Sequence, residues 1–231
     1  MNKILVVAAH PDDELLGCGG TIIEHIKKGD KVGMLIVSEG VTSRDEKRNY
    51  PKRKKEIEKL HLISKNIVKK MGVNFIRFLD FPDNRLDNVN LIDIVKKIEK
   101  TIKQFSPNTI YTHHGDDLNI DHELVTRAVL TATRPIPKQP VLKIYSFEVL
   151  SSTHWIEPSK RKAFVPNYFK DISKSLKDKI KYLGMYKGEM RKWPHARSLK
   201  SIKDLALYRG SSVGLKAAEA FQLIREISRE D

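Results

Sequence analysis

The sequence predicts an α/β fold of the Rossmann-like, doubly wound kind: a mostly parallel sheet with helices on both faces and a helical C-terminal tail. Three observations carry that expectation. Short apolar runs of strand length alternate with segments that repeat apolar residues at helical spacing. Two of those runs end abruptly in turns rich in His and Asp, at the position beyond a strand C-terminus where open parallel sheets gather ligands. No internal repeat or low-complexity linker breaks the pattern, so residues 1–231 read as a single domain.

The first strand is the run Ile4-Leu5-Val6-Val7-Ala8, within 3–8. It passes into Ala9-His10-Pro11-Asp12-Asp13-Glu14, then Leu15-Leu16-Gly17-Cys18-Gly19-Gly20, opening a helix over about 14–28 that stops at Gly29. Val32 to Val37 is the second strand, followed by a polar loop, Ser38 to Tyr50, that carries Glu39, Thr42, Ser43 and Arg44. From Lys52 to Met71 the residues Ile57, Leu60, Ile63, Ile67 and Met71 recur near helical spacing, and Gly72 ends the helix. Phe75 to Leu79 is the third strand, with a turn-rich loop from Asp80 to Asp87. A helix from Leu91 to Phe105 leads to the fourth strand, Thr109 to Thr112, and then to His113-His114-Gly115-Asp116-Asp117-Leu118-Asn119-Ile120-Asp121-His122 and a helix from Glu123 to Thr133. Lys143 to Leu150 is a further strand; Trp155 in the polar segment after it is read as covering the core. Phe164 to Ile172 is extended, and helices fill the rest. The last of these sets Val213, Leu215, Ala217, Ala220, Phe221, Leu223 and Ile224 on an apolar side, and Lys192-Trp193-Pro194-His195-Ala196-Arg197-Ser198 joins the tail helices.

The chemistry concentrates in the two polar turns. His10 and Asp13 stand three apart on a tight turn, a spacing that lets an imidazole and a carboxylate reach one ion, and Asp12 is a second carboxylate beside them. Pro11 fixes its own φ and holds His10 extended, so the turn is stiff without a ligand. Asp-Asp-Glu after proline is also a good helix start, with Asp12 as N-cap and acidic residues favoured at the helix's positive end. Capping alone leaves the second cluster unexplained, with three histidines and three aspartates in ten residues. His122 is the expected third metal ligand, because a helix starting there holds its ring rigidly; His113 and His114 are its rivals.

Composition removes other classes. Cys18 is the only cysteine, so neither a disulfide nor a cysteine-based zinc site forms within the chain, which fits a reducing, cytoplasmic setting. The N-terminal apolar run is too short for a signal peptide, and no run approaches the roughly 18 apolar residues of a membrane span. The excess of 43 Lys+Arg over 29 Asp+Glu, a net +14, raises nucleic acid as a partner. The lysines are nevertheless spread along helical segments. The densest clusters, Lys52-Arg53-Lys54-Lys55 and Lys160-Arg161-Lys162, carry no interleaved aromatics, so solvated helix faces are expected and nucleic acid is not. The first turn lacks Gly-x-Gly-x-x-Gly and is acidic where a pyrophosphate would sit, which argues against a dinucleotide module. A metal-dependent phosphoesterase is the remaining alternative.

The same residues resemble the PIG-L/LmbE family of zinc-dependent N-deacetylases. His10-Pro11-Asp12-Asp13-Glu14 stands as the family signature, with Gly17-Cys18-Gly19-Gly20 behind it, and Asp121-His122 matches the end of the second motif. The likeness continues through Asp80 to Asp87, Pro166-Asn167, Pro194-His195-Ala196-Arg197-Ser198, Arg209-Gly210 and Ala218-Glu219-Ala220-Phe221. It implies Zn2+ held by His10, Asp13 and His122, with Asp12 as general base, and an N-acetylglucosamine-type sugar or conjugate as substrate. Many members have His-Pro-Asp-His where this chain has Asn119-Ile120-Asp121-His122, so one family histidine is replaced by Asn119. The expected acid is therefore His195, oriented by Asp121, with Asp12 returning its proton as the alternative. In similar diacetylchitobiose deacetylases such a histidine comes from a neighbouring subunit, which makes a homo-oligomer the expected state. Asn119 is the expected second donor to the oxyanion, and Arg44, Asp83 and Arg134 the expected contacts to sugar hydroxyls or a phosphate.

Overall fold

A computed structural model of the chain describes residues 1–157 and 162–229. Among these residues, seven strands and six helices follow one another as β1 (Lys3–Ala8), α1 (Asp13–Lys27), β2 (Lys31–Ser38), α2 (Tyr50–Met71), β3 (Phe75–Phe81), α3 (Leu91–Phe105), β4 (Thr109–His113), α4 (Ile120–Ala132), β5 (Lys143–Phe147), β6 (Tyr168–Asp171), α5 (Leu176–Leu183), α6 (Leu199–Ser211) and β7 (Ala218–Glu226). The strands form one sheet in the order β3-β2-β1-β4-β5-β7-β6. The first five are parallel; β7 runs antiparallel to both β5 and β6. The predicted α/β class is the one observed.

Alternation along β1 divides the core into two layers, because successive side chains of a strand point to opposite faces. Ile4 and Val6 pack with Leu15, Ile22, Ile57, Phe147, Leu183 and Ile202 under α1, α2, α5 and α6. Leu5 and Val7 pack with Ile94, Ile98, Val125 and Val129 under α3 and α4. Helix α1 lies flush on the sheet: a Cβ at Gly17 would sit 2.1 Å from the Phe147 ring, so any side chain there would lift the helix off.

Within α1, Cys18 leaves helical geometry at φ −143°, ψ 23° and frees backbone groups on both sides. Glu219 of β7 accepts from Gly20 N at 2.8 Å and Thr21 N at 2.7 Å, while Lys179 of α5 donates to Leu16 O at 2.8 Å. Lys179 and Glu219 are themselves paired at 2.6 Å, both almost fully buried. A buried ion pair is tolerable only when its remaining polar valences are met, and here they are met by the kink.

Two expectations need correction. The last apolar segment is not a helix: Ala218–Glu226 is β7, slotted between β5 and β6. Apolar content in so short a run suits strand and helix alike, and the open edge of β5 decides it. Trp155 does not cover the core; it is 57% exposed. Of the basic clusters, Lys52 and Arg53 pair with Asp45 at the start of α2, whereas Lys160 and Arg161 lie outside the described residues. No described helix is long and apolar enough to cross a membrane.

Candidate metal centre

Strands β1 and β4 are hydrogen-bonded neighbours, so the turn after β1 and the loop after β4 leave the sheet side by side. This is where strand order reverses, the place at which such sheets form a crevice. Ala9 N donates to His113 Nε2 at 2.8 Å, tying the two loops together. Asp12 sits at φ 118°, a region L-residues rarely adopt, and its N–H donates to Glu14 Oε2 at 2.9 Å. Glu14 Oε1 in turn accepts from the Tyr186 hydroxyl at 2.8 Å. Such strain persists only where surrounding contacts over-determine it.

His10, Asp13 and His122 are brought together, each buried, with one donor atom apiece inside 4.8 Å. Asp13 Oδ2 lies 3.1 Å from His10 Nδ1 and 3.1 Å from His122 Nε2. Each histidine turns its other nitrogen to a buried carboxylate: His10 Nε2 to Asp121 Oδ2 at 3.0 Å, His122 Nδ1 to Asp117 Oδ1 at 3.2 Å. That outer carboxylate fixes ring orientation and tautomer, as it does for metal-bound histidines generally. Asp13 Oδ1 makes no hydrogen bond, and His122 Nε2 faces only Asp13. Ligand-type atoms that meet only one another at the centre of a buried cluster are the property that fits a cation.

A second grouping, His10 with Asp83 and Asp121, is equally compact. Its acceptors are already engaged: Asp121 takes Asn84 N at 2.7 Å and Leu86 N at 3.1 Å, and Asp83 takes Ser43 N at 3.0 Å. These two carboxylates support His10 from behind.

The electrostatics agree. Burial works against a charged His122, yet Asp13 and Asp117 outweigh it and push its pKa up to about 9. Burial would raise the Asp13 carboxyl, but His122 and His10 hold it well below the usual range. The cluster carries carboxylate charge that protons balance when no metal does, and a divalent ion would displace them.

Asp12 stands beside this group, 1% exposed. Its Oδ2 accepts from Arg197 Nη1 at 3.1 Å and its Oδ1 has no partner. Arg197 also donates from Nε to Ser151 Oγ at 3.1 Å. No sequence expectation falls on this arginine; its signal is its place in Pro194-His195-Ala196-Arg197-Ser198.

The other expected residues separate. His195 is exposed, its Nδ1 accepting from Arg197 N at 3.0 Å and its ring edge-on to Trp155 at 5.9 Å. Asp121 does not orient it, because the Asp121 carboxylate is filled by His10, Asn84 and Leu86. Asn119 caps α4 through Asp121 N at 2.9 Å and donates to Asn84 Oδ1 at 2.8 Å, at the rim of the site. Arg44 is paired with Glu189 at 2.7 Å. Arg134 lies beyond the far end of α4, 3.9 Å from Glu99, a full helix length from the cluster, so the substrate contact expected of it is withdrawn. His113 stacks on His122 at 3.9 Å with its Nε2 occupied by Ala9 N–H, and His114 bonds Gln222 and the Lys162 carbonyl.

Comparison with known proteins gives concordant findings. Residues 5–133 match the profile of a family described as "PIG-L: GlcNAc-PI de-N-acetylase". The chain is 29% identical over 174 residues to an uncharacterized deacetylase, YaiS, of Escherichia coli K12, covering 73% of this chain and 81% of that protein. It is 27% identical over 190 residues to a probable N-acetyl-alpha-D-glucosaminyl L-malate deacetylase 2 of Bacillus cereus, covering 80% and 83%. The structure of N,N'-diacetylchitobiose deacetylase from Pyrococcus horikoshii superposes with a TM-score of 0.76 at 17% identity, covering 97% and 84%. That of GalB, a 4-carboxy-2-hydroxymuconate hydratase from Pseudomonas putida KT2440, does so at 0.74 and 19%, covering 100% and 99%. At such identities the two structures share a fold with this chain, and the fold alone serves more than one reaction.

Proposed function

Because the chain belongs to the PIG-L family of de-N-acetylases, we propose that it is a zinc-dependent amidohydrolase that removes the acetyl group from an N-acetylglucosamine-type sugar or its conjugate, releasing acetate and a free amino sugar. The observation that carries the reading is a buried two-histidine, one-carboxylate set whose Asp13 Oδ1 makes no hydrogen bond, beside a further carboxylate, Asp12, whose Oδ1 makes none either. Two imidazoles and one carboxylate suit zinc better than magnesium, and three protein ligands leave a position open. In this reading residues 1–231 act as one catalytic domain in the cytoplasm.

His10, Asp13 and His122 would hold the ion. When bound, zinc supplies Lewis acidity to the amide carbonyl and acidifies water toward a pKa of about 7. The remaining work falls to the chain. Asp12 takes the proton of the attacking water at its free Oδ1, while Arg197 clamps Oδ2 so that the acceptor atom stays aimed. Asp121 and Asp117 keep both imidazoles in the ligating tautomer. The departing amine needs a proton, since an amide anion is a very poor leaving group. Within one chain Asp12 is the group in place to return it; His195 serves in a homo-oligomer whose interface covers this rim. Asn119, at the rim, and Arg44 are the proposed sugar contacts; Asp83, buried behind His10 with its oxygens engaged, is not one.

The test is metal analysis of the purified protein together with acetate assayed on N-acetylglucosamine, diacetylchitobiose and nucleotide sugars. Acetate release that is lost on chelation and restored by zinc is the expected result. A metal-loaded protein that releases no acetate from any of them, or that releases phosphate instead, overturns the proposal.

A further inference from the structure

At the opposite edge of the sheet, where β1, β4 and β5 begin, a cavity of about 340 Å3 opens beneath the C-terminus of α1. Its floor is a ladder of tyrosines. Tyr111 of β4 and Tyr145 of β5 are register partners with rings 5.2 Å apart, and Tyr168 of β6 follows at 4.7 Å. His25 closes one side, bonded to Asp30 at 2.8 Å and to the Tyr111 hydroxyl at 3.1 Å. Nothing in the metal chemistry uses this cavity.

Of the charged side chains that line it, Lys28, Lys143 and Lys170 outnumber Asp30. Asp30 is bonded to His25 and Asn2, Glu226 pairs with Lys143 at 2.6 Å and Glu24 with Lys27 at 3.0 Å, and Asp171, at the adjoining recess, is bonded to Ser173. Lys28, at the end of α1, and Lys170, on β6, face the cavity from different elements, and neither has an ion-pair partner among the described residues. They also border an adjoining recess that Lys174 lines. Burial and the Lys28 charge beside it lower the Lys170 pKa despite Asp30 and Glu24, as expected of ammonium groups crowded together. The negative end of α1 lies here too, but it is worth only about half a charge against two lysines.

We propose that this cavity is a binding site for a phosphoryl dianion, free or carried by a small sugar, with Lys28 and Lys170 as its counter-charges and the Tyr145 and Tyr168 rings as its apolar floor. The volume falls at the lower end of the roughly 300–1,000 Å3 typical of small-molecule sites, larger than a bare ion requires. The site is independent of the deacetylase reading and stands or falls without it.

The test is calorimetric titration of the intact protein with orthophosphate and with a hexose 6-phosphate at constant ionic strength, alongside the variants Lys170→Gln, Lys28→Gln and Lys200→Gln. Lys200 pairs with Asp204 on α6 and serves as the charge-matched control. Expected is binding that weakens at least about tenfold in each of the first two variants, the Coulombic loss of a close counter-charge, and is unchanged in the third. Tighter binding of the hexose 6-phosphate assigns the site to a phosphorylated sugar; equal binding assigns it to free phosphate. Equal affinities in all four proteins, or no binding, overturn the proposal. Lys28 is exposed at a helix end, so its variant reports on the site even if Lys170→Gln fails to fold.

Discussion

Replacing Glu219 by glutamine tests whether the break in α1 is held by its buried ion pair. The change leaves the shape of the side chain intact but removes the charge facing Lys179 at 2.6 Å. It also forces an amide NH2 toward Gly20 N or Thr21 N, both of which donate to the carboxylate. Breaking a buried pair from one side costs about 3–5 kcal/mol, because the other charge is left without compensation. For a chain of this size each kcal/mol moves the melting temperature by about 2–4 °C, so a drop of roughly 6–20 °C is expected. Lys179→Met should cost less, about 1–3 kcal/mol, since the carboxylate, although it loses Lys179 as Leu16 O does, keeps its two backbone donors. In the double variant the penalties should fall short of their sum by about 0.5–3 kcal/mol. Urea and thermal unfolding in excess chelator measure this without metal linkage. A loss below about 1 kcal/mol for Glu219→Gln, or Lys179→Met proving the more harmful of the two, would refute the reasoning.

Asp12→Asn should retain zinc and lose roughly 10²–10⁴ of turnover, read from acetate release and metal content together; undiminished turnover removes Asp12 as the base. Asp117→Asn should weaken zinc affinity roughly 10- to 100-fold in a competitive chelator titration by freeing the His122 ring; unchanged affinity would mean that Asp117 does not tune the ligand. Mixing His195→Ala with Asp12→Asn chains should regain activity if His195 acts across an interface, and an inert mixture confines proton return to one chain. Glu148 supplies a pH test. Burial would raise its carboxyl, but His154 and Arg209 outweigh it and hold the pKa below the ordinary 4.5. Its stabilising contribution is thus complete above that value and is lost as pH falls through the lowered folded-state pKa. The melting temperatures of wild type and Glu148→Gln should therefore converge in acid; a gap that persists there contradicts the assignment.

The parallel half of the fold and the metal turn were legible because their signals are local. Continuous apolar strands, helical periodicity and a stiff His-Pro-Asp-Asp turn each reside in a few consecutive residues. The misreadings involve partners remote in sequence. Whether 218–226 pairs as a strand depends on the free edge of β5, which no window around Phe221 contains. In the loop of His195 the imidazole is the more versatile group, and nothing local beyond its place in the motif marks Arg197. The backbone instead turns Arg197 inward to Asp12, 185 residues away. Arg134 follows directly on the helix that carries His122, and sequence proximity suggests a shared site; a rigid α4 puts the two at opposite ends.

The support around the N-terminal turn also sets when the site can be finished. Asp12 and Glu14 emerge from the ribosome early, but Tyr186 and Arg197, which hold them, lie 172 and 185 residues further on. At about 5–20 residues per second, roughly 10–40 s of synthesis separates a strained turn from its braces. During that interval Asp12 has no reason to stay at φ 118°, and the nascent chain offers a cation only loose, competing carboxylates. A cation site that depends on this braced turn would therefore be completed only after Arg197 has been made, and not while the first strand is being synthesised.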